Sequence, residues 1–376
     1  MNTLRRRLSV FKAAWFFAAM ATIILLAGCN IKLPGPTSTA IPPASTPVFP
    51  SSSPAILPTD TIPTLASPSP LASPVPTYLP SIPVTVHNPP ATPFTPSSVQ
   101  LELMKYVLEL INQDRTSDVN NLTPVELSFN AAAQKHAQDM IDNHVLAAHW
   151  GTDGLKPYMR YTIEGGINYD LENSCYVESS DKLDVKQELQ LFEQTMVLDD
   201  AASNWSHLNT IMNKWNKKVN IGIAYTDNAV ALVQDFEGDY LEYFQPPTLI
   251  GNLLSLSGRF INVNNVFLPQ IEITFDDLPQ PISPAELSNN ADYHHYSLGP
   301  QIGLILSPPP SGQVYKNLPV NNVVANTWNV NQSGEFWIEA DIGPILTRGR
   351  GVYTLGLVAI VGVDHLNMTN YSIFVQ

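Results

Sequence analysis

"KVNIGIAYTDNAVALVQDF", residues 218–236, decides the fold class. Val219, Ile221, Ile223 and Tyr225 alternate with other residues at the period of a strand that has one apolar face. Asp227-Asn228 is a turn former, and the run from Ala229 to Phe236 reads as a buried second strand, so the stretch predicts a hairpin. Upstream the period changes to that of helices. Ser97-Ser98-Val99-Gln100 has capping-box spacing ahead of Met104, Val107, Leu108 and Ile111. A second helix sets Ala133, Ala137, Met140 and Ile141 on one face, starting either at Thr123-Pro124-Val125-Glu126 or at Ser128. Val185, Leu189, Phe192 and Met196 mark a third helix, and Trp205, Leu208 and Met212 a short fourth. Helices first and a sheet last make an α+β body in which helices cover sheet faces.

After Pro246-Pro247 the texture becomes "LLSLSGRF", "IEITF", "IGLIL", "GEFWIEADI", "GVYTLGLVAIV" and "YSIFV", short β-rich runs between Pro, Gly and Asn clusters. Residues 246–376 therefore read as an all-β, immunoglobulin-like sandwich with a core of its own.

The N-terminus has a different grammar. A basic "RRRLSVFK", an apolar stretch of 15 residues from Ala13 to Ala27, and "LAGC" ending at Cys29 read as a leader over 1–28. The apolar stretch is short for a bilayer span of roughly 20 residues. Residues 30–98 contain 19 of the 33 prolines and, as charged groups, only Lys32 and Asp60. That composition buries too little apolar surface to offset chain entropy and predicts an extended, disordered stalk.

Charge narrows the partners. Asp and Glu number 33 against 19 Lys and Arg, and loss of the leader takes the formal charge from −14 to −18. So acidic a surface repels phosphate backbones, which excludes nucleic acid as a partner. Besides Cys29 the chain has only Cys175, expected to be a small buried hydrophobe and no nucleophile. No G-x-S-x-G, H-E-x-x-H, P-loop or CxxC is present. What remains is His149, Glu172 in "YDLENSCY" and His207 in "NWSHLNTIM", residue types suited to a divalent metal such as zinc.

In order, "VLELINQDR", "LTPVELSFNAAAQKHAQDM", "HWGTDGLKPYMR", "LEN", "HLNTIM" and "VNIGIAY…ALVQDF" make residues 99–245 resemble the CAP domain superfamily, also called SCP/TAPS (cysteine-rich secretory proteins, antigen 5, pathogenesis-related 1). The resemblance implies an α-β-α sandwich with a cleft of two histidines and acidic residues that binds zinc or another divalent ion in some members. It places the histidines at His149 and His207, the acid of the family's G-E-N at Glu172, and a further acid at Glu193. Leu171 stands where that motif has Gly, and Leu208 where bacterial members have Arg after the second histidine. "LAGC" likewise resembles the bacterial lipobox, which implies lipidation of Cys29, attachment to a lipid membrane and an envelope location facing the exterior.

Other residues carry structural expectations. His136 and His144 are read as solvated, His294-His295 as a turn, Arg160 as holding the loop after His149 through a carboxylate, and Trp150, Trp205 and Trp215 as core. Three functions follow. A surface-tethered protein, not an enzyme, binds a metal, a small hydrophobic ligand or an envelope component. A hydrolase uses metal-bound water between His149 and His207 with Glu172 as base or ligand. An adhesin binds glycan through the C-terminal sandwich. The missing catalytic motifs favour the first.

Overall fold

The computed structural model describes residues 94–376, so the predicted leader, Cys29 and the stalk up to residue 93 lie outside the described residues. Helix α1 (Ser98–Arg115) opens on the predicted capping box, with Gln100 N–H donating to Ser97 Oγ and Ser97 N–H donating to Gln100 Oε1. Strand β1 (Glu126–Ser128) follows, and α2 (Ala132–Asn143) begins only after it. Neither Thr123 nor Ser128 opens α2, because residues 126–128 pair in parallel with the later hairpin. Next come α3 (Pro157–Ile163), β2 (Asp170–Glu178), α4 (Val185–Leu198), α5 (Ser206–Ile211), and the hairpin β3 (Lys218–Tyr225) and β4 (Ala229–Glu237).

These strands form one sheet in the order β1-β3-β4-β2. On one face Ile221, Ile223 and Leu232 pack with Met104 and Val107 of α1 and Phe192 of α4. On the other, Ala224, Ala231 and Val233 meet Ala133, Ala137 and Met140 of α2. The result is three layers, α-β-α. Burial of both faces explains why small residues alternate with Ile in β3. A Cβ on Gly222 would stand 2.1 Å from the Ala133 carbonyl oxygen, so only glycine lets α2 lie this close. Tyr225, read with the apolar face, is 42% exposed at the strand end.

The second body contains β5 (Leu241–Ile250), β6 (Leu253–Phe260), β7 (Val266–Asp276), α6 (Pro284–Asn289), β8 (Gln301–Leu306), β9 (Asn322–Val324), β10 (Thr327–Val330), β11 (Glu335–Asp341), β12 (Gly351–Val361) and β13 (Asp364–Val375). Its sheets run β10-β11-β6-β5 and β13-β12-β7-β8-β9. Leu254, Leu256 and Ile338 of the first share one core with Ile271, Ile273, Ile305 and Leu355 of the second. Residue 246, the expected boundary, falls inside β5, whose pairing with β6 begins at Leu241 opposite Phe260.

No bare linker separates the two bodies, and all described residues lie in one compact unit. Tyr158 and Met159 of α3 share a core with Val352 of β12 and Phe374 of β13. The connection from β7 to β8, residues 277–300, carries α6 and a 3-10 turn, Ala291–His294, and lays fully buried Leu287 into the α2 core. Ser283 caps α6 by accepting the Glu286 N–H, with Pro284 in the first turn. Trp215 packs against the C-terminal core and Trp150 half-buried against the α2 core. Trp205 departs from its expected place in the core. It is 42% exposed, at a left-handed turn with φ 62°. Cys175 is buried in the α1–α4 core as expected. Among the described residues no helix is long and apolar enough to cross a membrane.

Candidate functional site

The chain leaves α2 through left-handed His144 and Ala147, with φ 52° and 39°. It is then tied back by Asp139, whose carboxylate accepts Thr152 N–H at 2.9 Å and Thr152 O–H at 2.6 Å. This places His149 over the sheet face that carries Glu172. His149 Nδ1 meets Glu172 Oε1 at 2.8 Å, and Arg160 Nη2 donates to Glu172 Oε2 at 2.6 Å. Arg160 Nη1 also donates to the carbonyls of His149 at 3.0 Å and Leu155 at 2.7 Å. The expected task of Arg160 is thus what it does: one guanidinium fixes both the carboxylate and the loop.

Burial alone would raise the Glu172 carboxyl, but Arg160, with His136 and His149, outweighs it and holds the group below its usual range. Glu172 is therefore an ionised acceptor, and the His149 nitrogen facing it bears the hydrogen. Burial, and then the neighbouring His207 and Arg160, keep His149 below an ordinary histidine in spite of Glu172. At neutral pH it is an uncharged ring with Nε2 as its bare nitrogen.

His207 is built the same way on the other side of β2. Left-handed Asn204 and Trp205 lead into α5, and His207 Nδ1 meets Asp200 Oδ1 at 2.6 Å. Asp200 Oδ2 accepts the Leu208 N–H at 3.0 Å, which serves an otherwise unpaired donor of the helix's first turn. Next to Glu172, Asn173 donates to the His207 carbonyl at 3.3 Å. The Glu-Asn pair of "LEN" thus reaches one histidine with each residue, because consecutive strand side chains point to opposite faces.

The same alternation separates Glu193 from Glu172. Glu193 is on α4 against the far face, accepts Gln234 Nε2 at 2.8 Å, and leaves Oε1 buried with no partner. Burial raises its carboxyl to about 8. Because the folded pKa lies above the ordinary value of 4.5, stability falls as pH climbs from that value through about 8 and then levels off. Glu193→Gln removes this loss. The variant should match the parent at pH 5 and exceed it at pH 9 by several kcal/mol, at about 1.4 kcal/mol per unit. Urea unfolding at the two pH values measures it, and a gap that does not widen contradicts it.

The second body closes the His149 side. Tyr296, beyond α6, sets its ring 4.9 Å from the His149 ring, and its hydroxyl accepts the Glu172 N–H at 2.7 Å. The Tyr293 carbonyl accepts the His149 N–H at 2.9 Å, and Trp150 Nε1 donates to the His295 carbonyl at 3.2 Å. Lys156 Nζ and Tyr158 O–H both donate to Asp276, each at 2.7 Å.

Two solved structures resemble this chain. One is an extracellular protein containing a SCP domain from Bacillus anthracis str. Ames, at 19% identity and a TM-score of 0.30, covering 40% of this chain and 45% of that one. The other is the CAP domain of Enterococcal PrgA, at 19% identity and a TM-score of 0.28, covering 39% and 64%. Its structural neighbours are SCP/CAP domain proteins. The chain spans about half the length of the first and under two thirds of the second. No protein-family model matches it, and neither does any curated protein.

Within the α-β-α body, the three side chains expected to hold a metal do not fit one as a set. Both Glu172 oxygens are engaged, by His149 and Arg160. Among the described residues no group of three or more His, Cys, Asp or Glu is placed to share an ion. The histidines instead turn Nδ1 to a carboxylate, which orients each ring and leaves Nε2 as its outward nitrogen.

His136, expected to be solvated, is 1% exposed, with Nε2 2.8 Å from the Ala148 carbonyl and 3.9 Å from Glu172 Oε1. The helix that bears it is covered by the loop that returns over it. His144 is exposed as expected and meets Glu178 at 3.3 Å. His294 and His295 lie at the end of the 3-10 turn, with His294 Nε2 3.1 Å from the Leu287 carbonyl.

Sequence reasoning missed Asp200, Asp170, Asp235 and Tyr296. Asp170 and Asp235 sit on the Glu172 face, opposite Glu237 and Glu172 in the β2–β4 register. Burial first, and then the adjacent carboxylates, raise both well above the ordinary value in spite of Arg160. Strand alternation around Glu172 was a signal for Asp170, and "DYHHYSLGP" for Tyr296, but neither says which distant partner it meets.

Proposed function

We propose that this protein is an envelope lipoprotein, tethered by a lipidated Cys29 and held away from the membrane by a Pro-rich stalk. Its CAP-like body binds a ligand rather than hydrolysing one. The second body reads as an immunoglobulin-like sandwich that completes the wall of the binding site. The observation that carries the binding reading is the state of Glu172. A general base needs a free carboxylate near the reacting proton, with a pKa close to the working pH. Glu172 has both oxygens occupied and is held below the usual carboxylate range.

What the structure offers instead is a carboxylate-braced imidazole on each side of β2, His149 with Glu172 beside the ring of Tyr296 and His207 with Asp200. The neutral His149 beside the Tyr296 ring suits a small, largely apolar envelope component with a hydrogen-bond donor for its Nε2.

The full chain, assayed on a panel of peptide and ester substrates with and without zinc, should show no turnover above background, and Glu172→Gln should not alter that. Turnover abolished by Glu172→Gln would overturn the reading in favour of a hydrolase. Carbonate washing of membranes should release the Cys29→Ala variant while the parent stays bound, since two acyl chains give an attachment that one does not.

A further inference from the structure

The outer face of the sheet β10-β11-β6-β5 carries a pattern that packing of the fold does not use. Strand register sets Asn329, Trp337, Ser257 and Gln245 side by side in one row across the four strands. Phe336 and Ile338, the chain neighbours of Trp337, point into the core at 1% and 0% exposure, so this row faces outward. Trp337 is 52% exposed. The β5 register slips between Tyr243 and Gln245, a bulge that presents Phe244 beside the row. Phe244 is 48% exposed, and its ring centre lies 6.3 Å from that of Trp337 at 51°.

The flanking rows are polar. On one side Glu335, Arg259 and Glu242 stand opposite one another, with Arg259 Nε donating to Glu242 at 2.7 Å. On the other side the row is Thr327, Glu339, Ser255 and Thr248. Two open aromatic rings thus stand between two polar rows, with Ser257 buried beneath them and the exposed aliphatic pair Leu253 and Ile250 one row further out, at the end of the sheet.

We propose that this face binds a neutral polysaccharide, with sugar rings stacked on Trp337 and Phe244 and sugar hydroxyls meeting Asn329 and Gln245. A pyranose has an apolar C–H face and a polar edge, and this surface offers the complement of both: aromatic planes with hydrogen-bonding groups at their sides. Other occupants fit less well. Carboxylates outnumber the guanidinium in the flanking rows, and the chain carries a formal −14, so a polyanion or an anionic lipid surface is repelled. A stable protein interface buries about 800 Å² per partner around an apolar centre. Here the apolar centre is two rings, and the other exposed apolar pair, Leu253 and Ile250, is separated from them by the polar row of Thr327, Glu339, Ser255 and Thr248. The proposal does not depend on the reading of the His149 centre, which the variants below leave untouched.

Co-sedimentation of the full chain with insoluble cellulose, chitin and mannan tests it, in a polyoxyethylene detergent that has no sugar head group to compete. The parent should sediment with at least one of the three. Trp337→Ala should weaken that binding at least tenfold, Phe244→Ala less, and Trp337→Phe should keep part of it because a flat ring remains. Unfolding curves of the variants should overlay the parent's, since both rings are about half exposed. Failure of the parent to sediment with any of the three overturns the proposal, as does unchanged binding by Trp337→Ala. Loss of self-association in Trp337→Ala without loss of polysaccharide binding assigns the face to contact between copies and overturns it equally.

Discussion

Arg160→Met should destabilise the protein by about 3–5 kcal/mol at pH 7, the cost of leaving a buried ionised partner uncompensated. The guanidinium is 6% exposed, and Glu172 beneath it is 4% exposed. Its charge also faces Asp235 and Asp153, while its Nη1 holds the carbonyls of His149 and Leu155. Without it, burial and the nearby carboxyls of Asp170 and Asp235 push the Glu172 proton affinity up. The pH dependence gives the sign. A carboxyl held low in the folded state adds stability above its unfolded pKa, and that contribution is lost as pH falls through the folded pKa. The gap between parent and variant should therefore be widest at neutral pH and narrow as pH falls through the variant's raised Glu172 pKa toward the parent's lowered one, since the unfolded chain titrates alike in both. Arg160→Met/Glu172→Gln should regain much of the loss at pH 7, because no charge is then stranded. Urea unfolding at pH 7 and pH 4 reads all of this. A single variant within 1 kcal/mol of the parent at pH 7 would mean that the pair contributes little, as exposed pairs do.

Leu287→Ala should cost about 2–5 kcal/mol, the range for emptying a fully buried leucine site. Its place makes the result informative. Leu287 belongs by sequence to the β7–β8 connection, yet it packs among Ala133, Ala137, Met140 and Tyr176 of the α-β-α body. If the two bodies unfold as one cooperative unit, the variant lowers a single transition seen equally by near-UV and far-UV circular dichroism. Two separated transitions in the parent would show that the shared cores of Tyr158, Met159, Val352 and Phe374 do not couple them. The same variant loosens the segment that ends at Tyr296, so His149 should become more reactive to an imidazole-modifying reagent.

Much of the frame was legible from local chemistry. The capping box at Ser97 and Gln100, the stripe through Met104, Val107 and Ile111, and the hairpin over residues 218–236 each depend on neighbours a few residues apart. In each case periodicity is the signal. The pairing of Arg160 with a carboxylate, holding the loop after His149, was expected too. Where reading failed, the missing term was a remote partner. The start of α2 was misplaced because residues 126–128 are strand only by virtue of β3. His136 looked solvated because a helical wheel reports one apolar face and not what lies over the other.

By itself, then, the sequence determined the apolar stripes of α1, α2 and α4, the hairpin over residues 218–236, and which residue types are available for chemistry. It also determined the acidic formal charge of −14. Tertiary structure alone decided which carboxylate meets which imidazole: Glu172 with His149, Asp200 with His207, and Glu193 with neither. It alone decided that a segment of the C-terminal body covers the His149 centre and that Trp337 and Phe244 share one open face. The physical reason is range. Periodicity and capping act over one or two turns of chain, whereas the protonation and accessibility of a buried group depend on every charge and surface within several ångströms, whatever their separation in sequence.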